Sequence, residues 1–282
     1  MIVNGYNEMK PYLPPIEMKG TPALFNDALQ VAQEDLTAQI VGTNLEQLLE
    51  QRKQEDRKLF VLCQRIIACD AFLHSIPEMD LVLTDAGFGV VNNQSFAPAS
   101  RERINNLTTA MQRKVDDSRD RLVVFLMRTG QYDDWRGTEE FARLSDGLFL
   151  TLADFRDAAV LNPITAPVWP NTWSDFMKMN GALNVALMSD VASYISTEYA
   201  EEILEKIRDK ETFLPIENKV LKLVKEATAA IAMGDRPTGV QQAIKAARIM
   251  KDNPDDFPTF NESSASHDLT IEYTDTPIFS LV

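Results

Sequence analysis

The chain has 282 residues, 45% of them hydrophobic, and 28 basic against 42 acidic residues leave a net charge of −14 at pH 7. That is enough apolar material for one large core or two ordinary ones, whereas an acidic balance disfavours nucleic-acid binding that relies on Lys and Arg displacing counterions from phosphate. No apolar run is long enough to span a bilayer, and the N-terminus lacks the basic region and apolar core of a secretory signal, so neither a membrane nor export is expected.

Residues 1–20 carry Pro11, Pro14 and Pro15 without a sustained period and predict an extended N-terminal arm. Thr21 and Pro22 then read as a helix start, with Phe25, Leu29, Ala32, Leu36 and Ile40 at spacings of three and four, and Gly42 as a stop. Thr43 with Glu46 has the capping-box pattern of a second helix. Its charged middle, EQRKQEDRK, predicts a solvated segment or a break before apolar positions resume at Leu59 and run to Leu73, ahead of Pro77. Cys63 and Cys69, six apart on that helix, point away from each other and read as reduced core residues.

Two short runs rich in strand formers flank Asp85-Ala86-Gly87, which is turn chemistry, and predict a small β-hairpin over 80–92. Gly87-Phe88-Gly89 lacks the helix start and the Lys or third Gly of a phosphate loop. Ser100 then caps a helix with an apolar seam at Ile104, Leu107, Met111, Val115, Leu122 and Phe125, broken only at Ser118. Thr138 and Thr151 cap two shorter helices, and Leu161 to Pro170 is a proline-rich connection. A long striped helix follows from Thr172 through Ile195, another starts at Pro215, and a last one spans roughly Gly239 to Lys251. A shift of 117 residues lays Pro98 on Pro215 and Ile66 on Leu183, which suggests a tandem duplication of one helical unit without a second hairpin.

The expected fold class is therefore mainly α: a multi-helix bundle, with two tandem helical units, a small β-hairpin and extended N- and C-terminal arms. The expected divisions are an arm over 1–20, helical unit 1 over 21–130 with the hairpin at 80–92, helical unit 2 over 138–252, and an acidic extended tail over 253–282. From Asp252 to Val282 there are seven acidic residues and no Lys or Arg, and the tail ends in apolar Ile278-Phe279-Ser280-Leu281-Val282. Such an end has a use if it adds to a neighbour's sheet or groove.

Few residues suit catalysis, since only His74 and His267 can serve as neutral-pH bases and no nucleophile elbow is present. Glu198, Glu201, Glu202 and Glu205 share a helix face, yet no His follows at the spacing of a di-metal site, and nearby Lys206, Arg208 and Lys210 suit a solvated, salt-bridged surface. No enzyme activity, metal or cofactor is expected.

The stretches TDAGFGVVNNQSFAPASRERI, NPDDFPTFNES and TPIFSLV together resemble an uncharacterised family of proteins encoded by phages and prophages of Bacteroidetes, over nearly the whole chain. In helical architecture that family looks like head–tail connector (adaptor) proteins, which form a ring beneath the portal. The resemblance implies a structural virion protein, assembled in the bacterial host cytoplasm into a homo-oligomeric ring of about twelve copies in the neck. Its partners would be the portal protein and neck or tail proteins, with DNA only as passing cargo. Connector proteins are usually smaller and single-unit, so the doubled length leaves the stoichiometry open. The contact residues expected are Phe88, Val90 and Val91 of the hairpin and Ile278, Phe279 and Leu281 of the tail. Two other readings compete. One is a helical small-ligand binder or enzyme with a pocket between the two helical units, drawing on Arg65, Asp70, His74 and Asp85. The other is a subunit of a non-viral contractile injection assembly.

Overall fold

The computed structural model describes residues 1–14, 25–51, 53–79, 81–84, 87–90, 100–159 and 170–268, without the side chains of residues 78, 81–84, 87–90, 267 and 268. It is mainly α. In chain order the helices are α1 (Tyr6–Met9), α2 (Asn26–Leu36), α3 (Thr43–Glu50), α4 (Arg57–Ser75), α5 (Arg101–Arg128), α6 (Glu139–Ser145) and α7 (Leu152–Ala158). They continue as α8 (Trp173–Val185), α9 (Ala192–Ile195), α10 (Thr197–Asp209), α11 (Pro215–Ala232), α12 (Arg236–Asp252), α13 (Pro258–Asn261) and α14 (Ser264–Asp268). Between α4 and α5, the backbone of β1 (Leu81–Thr84) pairs antiparallel with β2 (Gly87–Val90), Leu81 opposite Val90 and Thr84 opposite Gly87.

Two compact units form. Unit 1 comprises Met1–Ser145 with Leu150–Asp154 and Pro170–Met177, and unit 2 the remainder. The division differs from one at 130–138, because α6 and two short later segments pack with the first helices rather than with the last.

In unit 1, α4 packs on α2 and α5, burying Leu29, Leu36, Phe60, Ile66, Ile67, Phe72, Val115 and Leu122. Helix α5 starts where expected, with Ser100 Oγ accepting the Arg103 N–H at 3.4 Å. Its buried face is not purely apolar. Asp116, Ser118, Arg119 and Asp120 are buried beside the predicted seam; Ser118 donates within α5 to the Lys114 carbonyl at 2.6 Å, and the other three have partners far along the chain. Asp120 accepts the backbone N–H groups of Leu152 at 3.0 Å and Ala153 at 2.9 Å, and Asp116 accepts that of Trp173 at 3.1 Å. Thus α5 supplies acceptors to first-turn N–H groups of α7 and α8 that have no partner within their own helices. Arg119 reaches back 49 positions to donate to Asp70 on α4 at 3.0 Å.

Residues 1–14 are not an extended arm. Ile2, Val3 and Met9 are fully buried, Tyr6 stacks on Phe25 at 5.7 Å, and the Ile2 N–H donates to Gln33 Oε1 at 2.8 Å. Pro11 sits within a 3₁₀ turn over Lys10–Tyr12, so proline bends this segment back instead of extending it. Thr43 is not a cap either: Gly42, at φ 76°, precedes α3 directly, and Glu46 accepts from Gln33 Nε2 at 2.6 Å rather than closing a box. The charged EQRKQEDRK segment does mark a break, α3 ending at Glu50 and α4 starting at Arg57. Within it Asp56 is buried, accepting from Tyr132 Oη at 2.9 Å and Gln131 at 3.0 Å.

In unit 2, α11 and α12 form an antiparallel pair that closes on small side chains, Ala227, Ala230, Gly239 and Ala243. Glu217 accepts the Leu214 N–H at 2.7 Å at the start of α11, and Lys206 bridges Glu217 and Glu202 at 2.7 and 2.9 Å, so Glu202 on the glutamate face of α10 is salt-bridged. The tail is not extended over 254–268. Phe257 and Phe260 are buried, Tyr199 meets Phe257 edge-on at 5.6 Å, and α13 and α14 follow. Two aromatic residues three apart hold an acidic segment that charge alone would leave in water. Residues 269–282 lie outside the described residues.

The two units share an unusual sequence of elements. In each a helix (α2, α8) passes into a π-helical turn, then breaks at a residue in a glycine-type conformation, directly in unit 1 and after α9 in unit 2, and restarts as a new helix (α3, α10). The break residues are Gly42 at φ 76°, ψ 158° and Ser196 at φ 71°, ψ 152°. Non-glycine residues rarely adopt this backbone, and Ser196 Oγ offsets the strain by accepting the Tyr199 N–H at 3.1 Å. The shift that superposes the breaks is 196 − 42 = 154, not 117. It also lays NDALQVA (26–32) on NGALNVA (180–186), with five identities in seven positions. The 117 shift would set Gly42 on Ala159, at the end of α7. Apolar helix seams coincide at many shifts because they recur every turn, but a positive-φ break does not.

Candidate functional site

None of the six expected contact side chains falls within the described residues. Phe88 and Val90 lie on β2 with backbone only, and Val91, Ile278, Phe279 and Leu281 lie outside, as does Asp85.

Arg65, Asp70 and His74 lie along α4 in unit 1. Asp70 is buried, and its carboxyl is pushed up by burial against the opposing pull of Arg119. His74 Nδ1 is 3.0 Å from the Asp70 carbonyl oxygen and 3.7 Å from its carboxylate, an i, i+4 contact at the end of a helix. With Arg119 against Asp70 on its other side, this cluster is a packed ion pair, and its charge is spent on holding α4 to α5. Cys63 and Cys69 are buried free thiols, and burial pushes Cys63 up to about 12. Among the described residues no group of three or more His, Cys, Asp or Glu could hold a metal ion, and no described helix is long and apolar enough to cross a membrane.

Among the concavities formed by the described residues, two bear on function. The first, about 370 Å³ in unit 1, is lined by Glu8, Pro11, Tyr12, Lys53, Arg57 and Gln64 beside Phe60. Tyr12 Oη donates to Gln64 Oε1 at 3.1 Å, and burial raises its phenol against the pull of Arg57 and Arg65. Arg57 lies 5.8 Å from the Phe60 ring centre. The fold of 1–14 creates this pocket by laying Tyr12 against α4.

The second is an open apolar groove of about 380 Å³ in unit 2. Gly181, Ala182 and Val185 on α8, with Ala186 and Asp190 on the π-helical turn that continues it, form one wall, and Ile231 with Ala232 at the end of α11 form the other. Leu183, Ala186 and Leu187 turn inward and are buried, which rotates Val185 outward to 61% exposure. At one end Asp190 pairs with Arg236 at 2.8 Å, Arg236 itself being 72% exposed. Val31 on α2, off the seam of Leu29, Ala32 and Leu36, is the corresponding exposed valine of unit 1, at 47%. Sequence reasoning missed both valines. The signal was available in the pair NDALQVA and NGALNVA, where each valine falls between core positions.

Residues 15–144 match a family of unknown function, DUF6712, and so are similar to it over a stretch that lies within unit 1. No curated protein and no solved structure matches the chain.

Proposed function

We propose that this protein is a structural assembly subunit that acts by self-association, and in its finer form a head–tail connector ring subunit joining the portal to the tail or neck of a virion. The observation that carries the self-association is the open apolar groove on unit 2 beside a valine left largely in solvent, because an isolated chain gains nothing from such a surface and an interface does. The virion placement and the ring draw on the resemblance of the three quoted stretches. On this reading the hairpin, through Phe88, Val90 and Val91, and the tail, through Ile278, Phe279 and Leu281, add contacts to neighbouring subunits or to the portal and neck proteins. Mass photometry and negative-stain microscopy of the full chain test it. Closed rings support it, and a monomer across the accessible concentration range refutes it. Deleting residues 270–282 is expected to leave a folded helical protein that no longer closes into rings.

The pocket around Tyr12, Arg57 and Lys53 favours a second reading, a binder of a small anionic ligand within unit 1, since two cations and a phenol converge there over an aromatic ring. Isothermal titration with small carboxylates and phosphates tests this, with Arg57→Ala as the control that should abolish any heat.

A further inference from the structure

The pocket of about 370 Å³ in unit 1 is built on one helix face. Arg57, Phe60 and Gln64 fall at i, i+3 and i+7 along α4, Lys53 stands four residues ahead of Arg57 on the approach to the helix, and Glu8, Pro11 and Tyr12 close the opposite side. The two ends of this face differ. Phe60 and Gln64 are 3% and 7% exposed and form the floor, whereas Lys53 and Arg57 are exposed at the mouth.

The cations at the mouth are uncompensated. Neither Lys53 nor Arg57 has an ion-pair partner among the described residues. Glu8, the single carboxylate among the lining residues, accepts the Asn4 N–H at 3.0 Å and pairs with neither cation, and the buried Asp56 carboxylate is engaged by Tyr132 and Gln131. Arg65, about two turns further along α4, adds a third positive charge that acts on Tyr12. In a chain with 42 acidic and 28 basic residues, carboxylates are in excess, so cations left bare beside one pocket gather an external anion there. The floor has a different chemistry. Phe60 and Tyr12 supply aromatic carbon, and the Gln64 amide is already spent, its Oε1 accepting from Tyr12 Oη at 3.1 Å and its Nε2 donating to the Ile2 carbonyl at 3.4 Å. A ring finds contact at this end, whereas a second charged group finds no partner.

We infer that this pocket takes a phosphomonoester carried on a flat ring, with the phosphate held by Lys53 and Arg57 and the ring laid over Phe60. This rests on the anionic-ligand reading of the same pocket and names the ligand class. A phosphomonoester is mainly dianionic above about pH 6, so it balances two cations where a carboxylate balances one, and a guanidinium holds two of its oxygens at once. Arg57 lies 5.8 Å from the centre of the Phe60 ring, which sets the anion site directly beside the stacking site.

Isothermal titration of the full-length chain with phenyl phosphate, AMP, phenyl sulfate, benzoate and inorganic phosphate at neutral pH tests it. Phenyl phosphate or AMP is expected to bind roughly tenfold or more tightly than inorganic phosphate, which lacks the ring, and than phenyl sulfate and benzoate, which carry a single charge. Tighter binding of AMP identifies a nucleotide, and tighter binding of phenyl phosphate a simple aryl phosphate. Arg57→Ala is expected to abolish the heat of every ligand, and Lys53→Ala to cut the preference for phenyl phosphate over phenyl sulfate to roughly threefold or less. Both positions are exposed, and circular dichroism verifies that each variant folds. A preference that survives Lys53→Ala in full overturns the two-cation assignment. If benzoate or inorganic phosphate binds as tightly as both ring-bearing phosphates, the ligand class is wrong while the anionic-ligand reading stands. If no anion gives heat, or Arg57→Ala binds as the unaltered chain does, both are overturned.

Discussion

Asp120 carries the most demanding test of how unit 1 is held. Its carboxylate accepts two backbone N–H groups at the start of α7, yet its pKa is pushed up to about 6 from an ordinary 3.8, burial outweighing both hydrogen bonds and Asp116 and Asp117 adding repulsion. The folded state therefore binds a proton more tightly than the unfolded chain. Stability linked to this group is fully present below about pH 4 and is lost as pH rises through 6, the reverse of a salt-bridged aspartate. A shift of about 2 units corresponds to at most about 3 kcal/mol, and residual solvent contact reduces this to roughly 1–2 kcal/mol between pH 4 and 7. Asp120→Asn keeps one acceptor oxygen, turns its amide toward a second N–H donor, and removes the titration. Guanidinium unfolding of both proteins at half-unit pH steps reads the difference, which cancels the other carboxylates common to both. The variant's stability relative to the native chain should improve by roughly 1–2 kcal/mol from pH 4 to pH 7. Parallel profiles would refute the assignment of burial as the dominant influence on this carboxyl.

Gly239→Ala should destabilise unit 2 by about 1–3 kcal/mol in chemical denaturation, because its Cβ would meet Ile231 Cγ1 at 2.4 Å and the Ala227 carbonyl oxygen at 2.7 Å. Asp70→Ala should cost about 3–5 kcal/mol by leaving Arg119 buried without its partner, and the double variant Asp70→Leu with Arg119→Met should recover most of that loss in the same assay. Phe260→Ala should cost about 3–5 kcal/mol and increase protease cleavage within 253–268, whereas an extended acidic tail would show neither effect.

Helix starts were the most legible features of the chain. Ser100, Thr138, Thr151 and Thr172 each accept an N–H three residues on, at 3.4, 3.3, 3.1 and 3.1 Å, and Pro215 opens α11. The break around EQRKQEDRK and the reduced state of the cysteines were legible for the same reason, since composition within one or two turns decides them. Residues 1–14 and 254–268 were misread as extended because burial of Ile2, Val3, Phe257 and Phe260 depends on what the rest of the chain offers as a surface. Proline and acidic content argue only about the segment itself.

The candidate site divides along the same line. Periodicity alone placed Leu29, Ala32 and Leu183 in the core and made the protein mainly helical, because a seam of apolar residues every three or four positions can be hidden in only one way. Tertiary structure alone decided which polar residues go inside. Arg119 meets Asp70 across 49 positions and Asp120 meets Leu152 across 32, distances over which no local pattern carries information. It likewise decided that Val31 and Val185 stay outside, since a valine on a helix remains exposed only when every neighbouring helix has packed elsewhere.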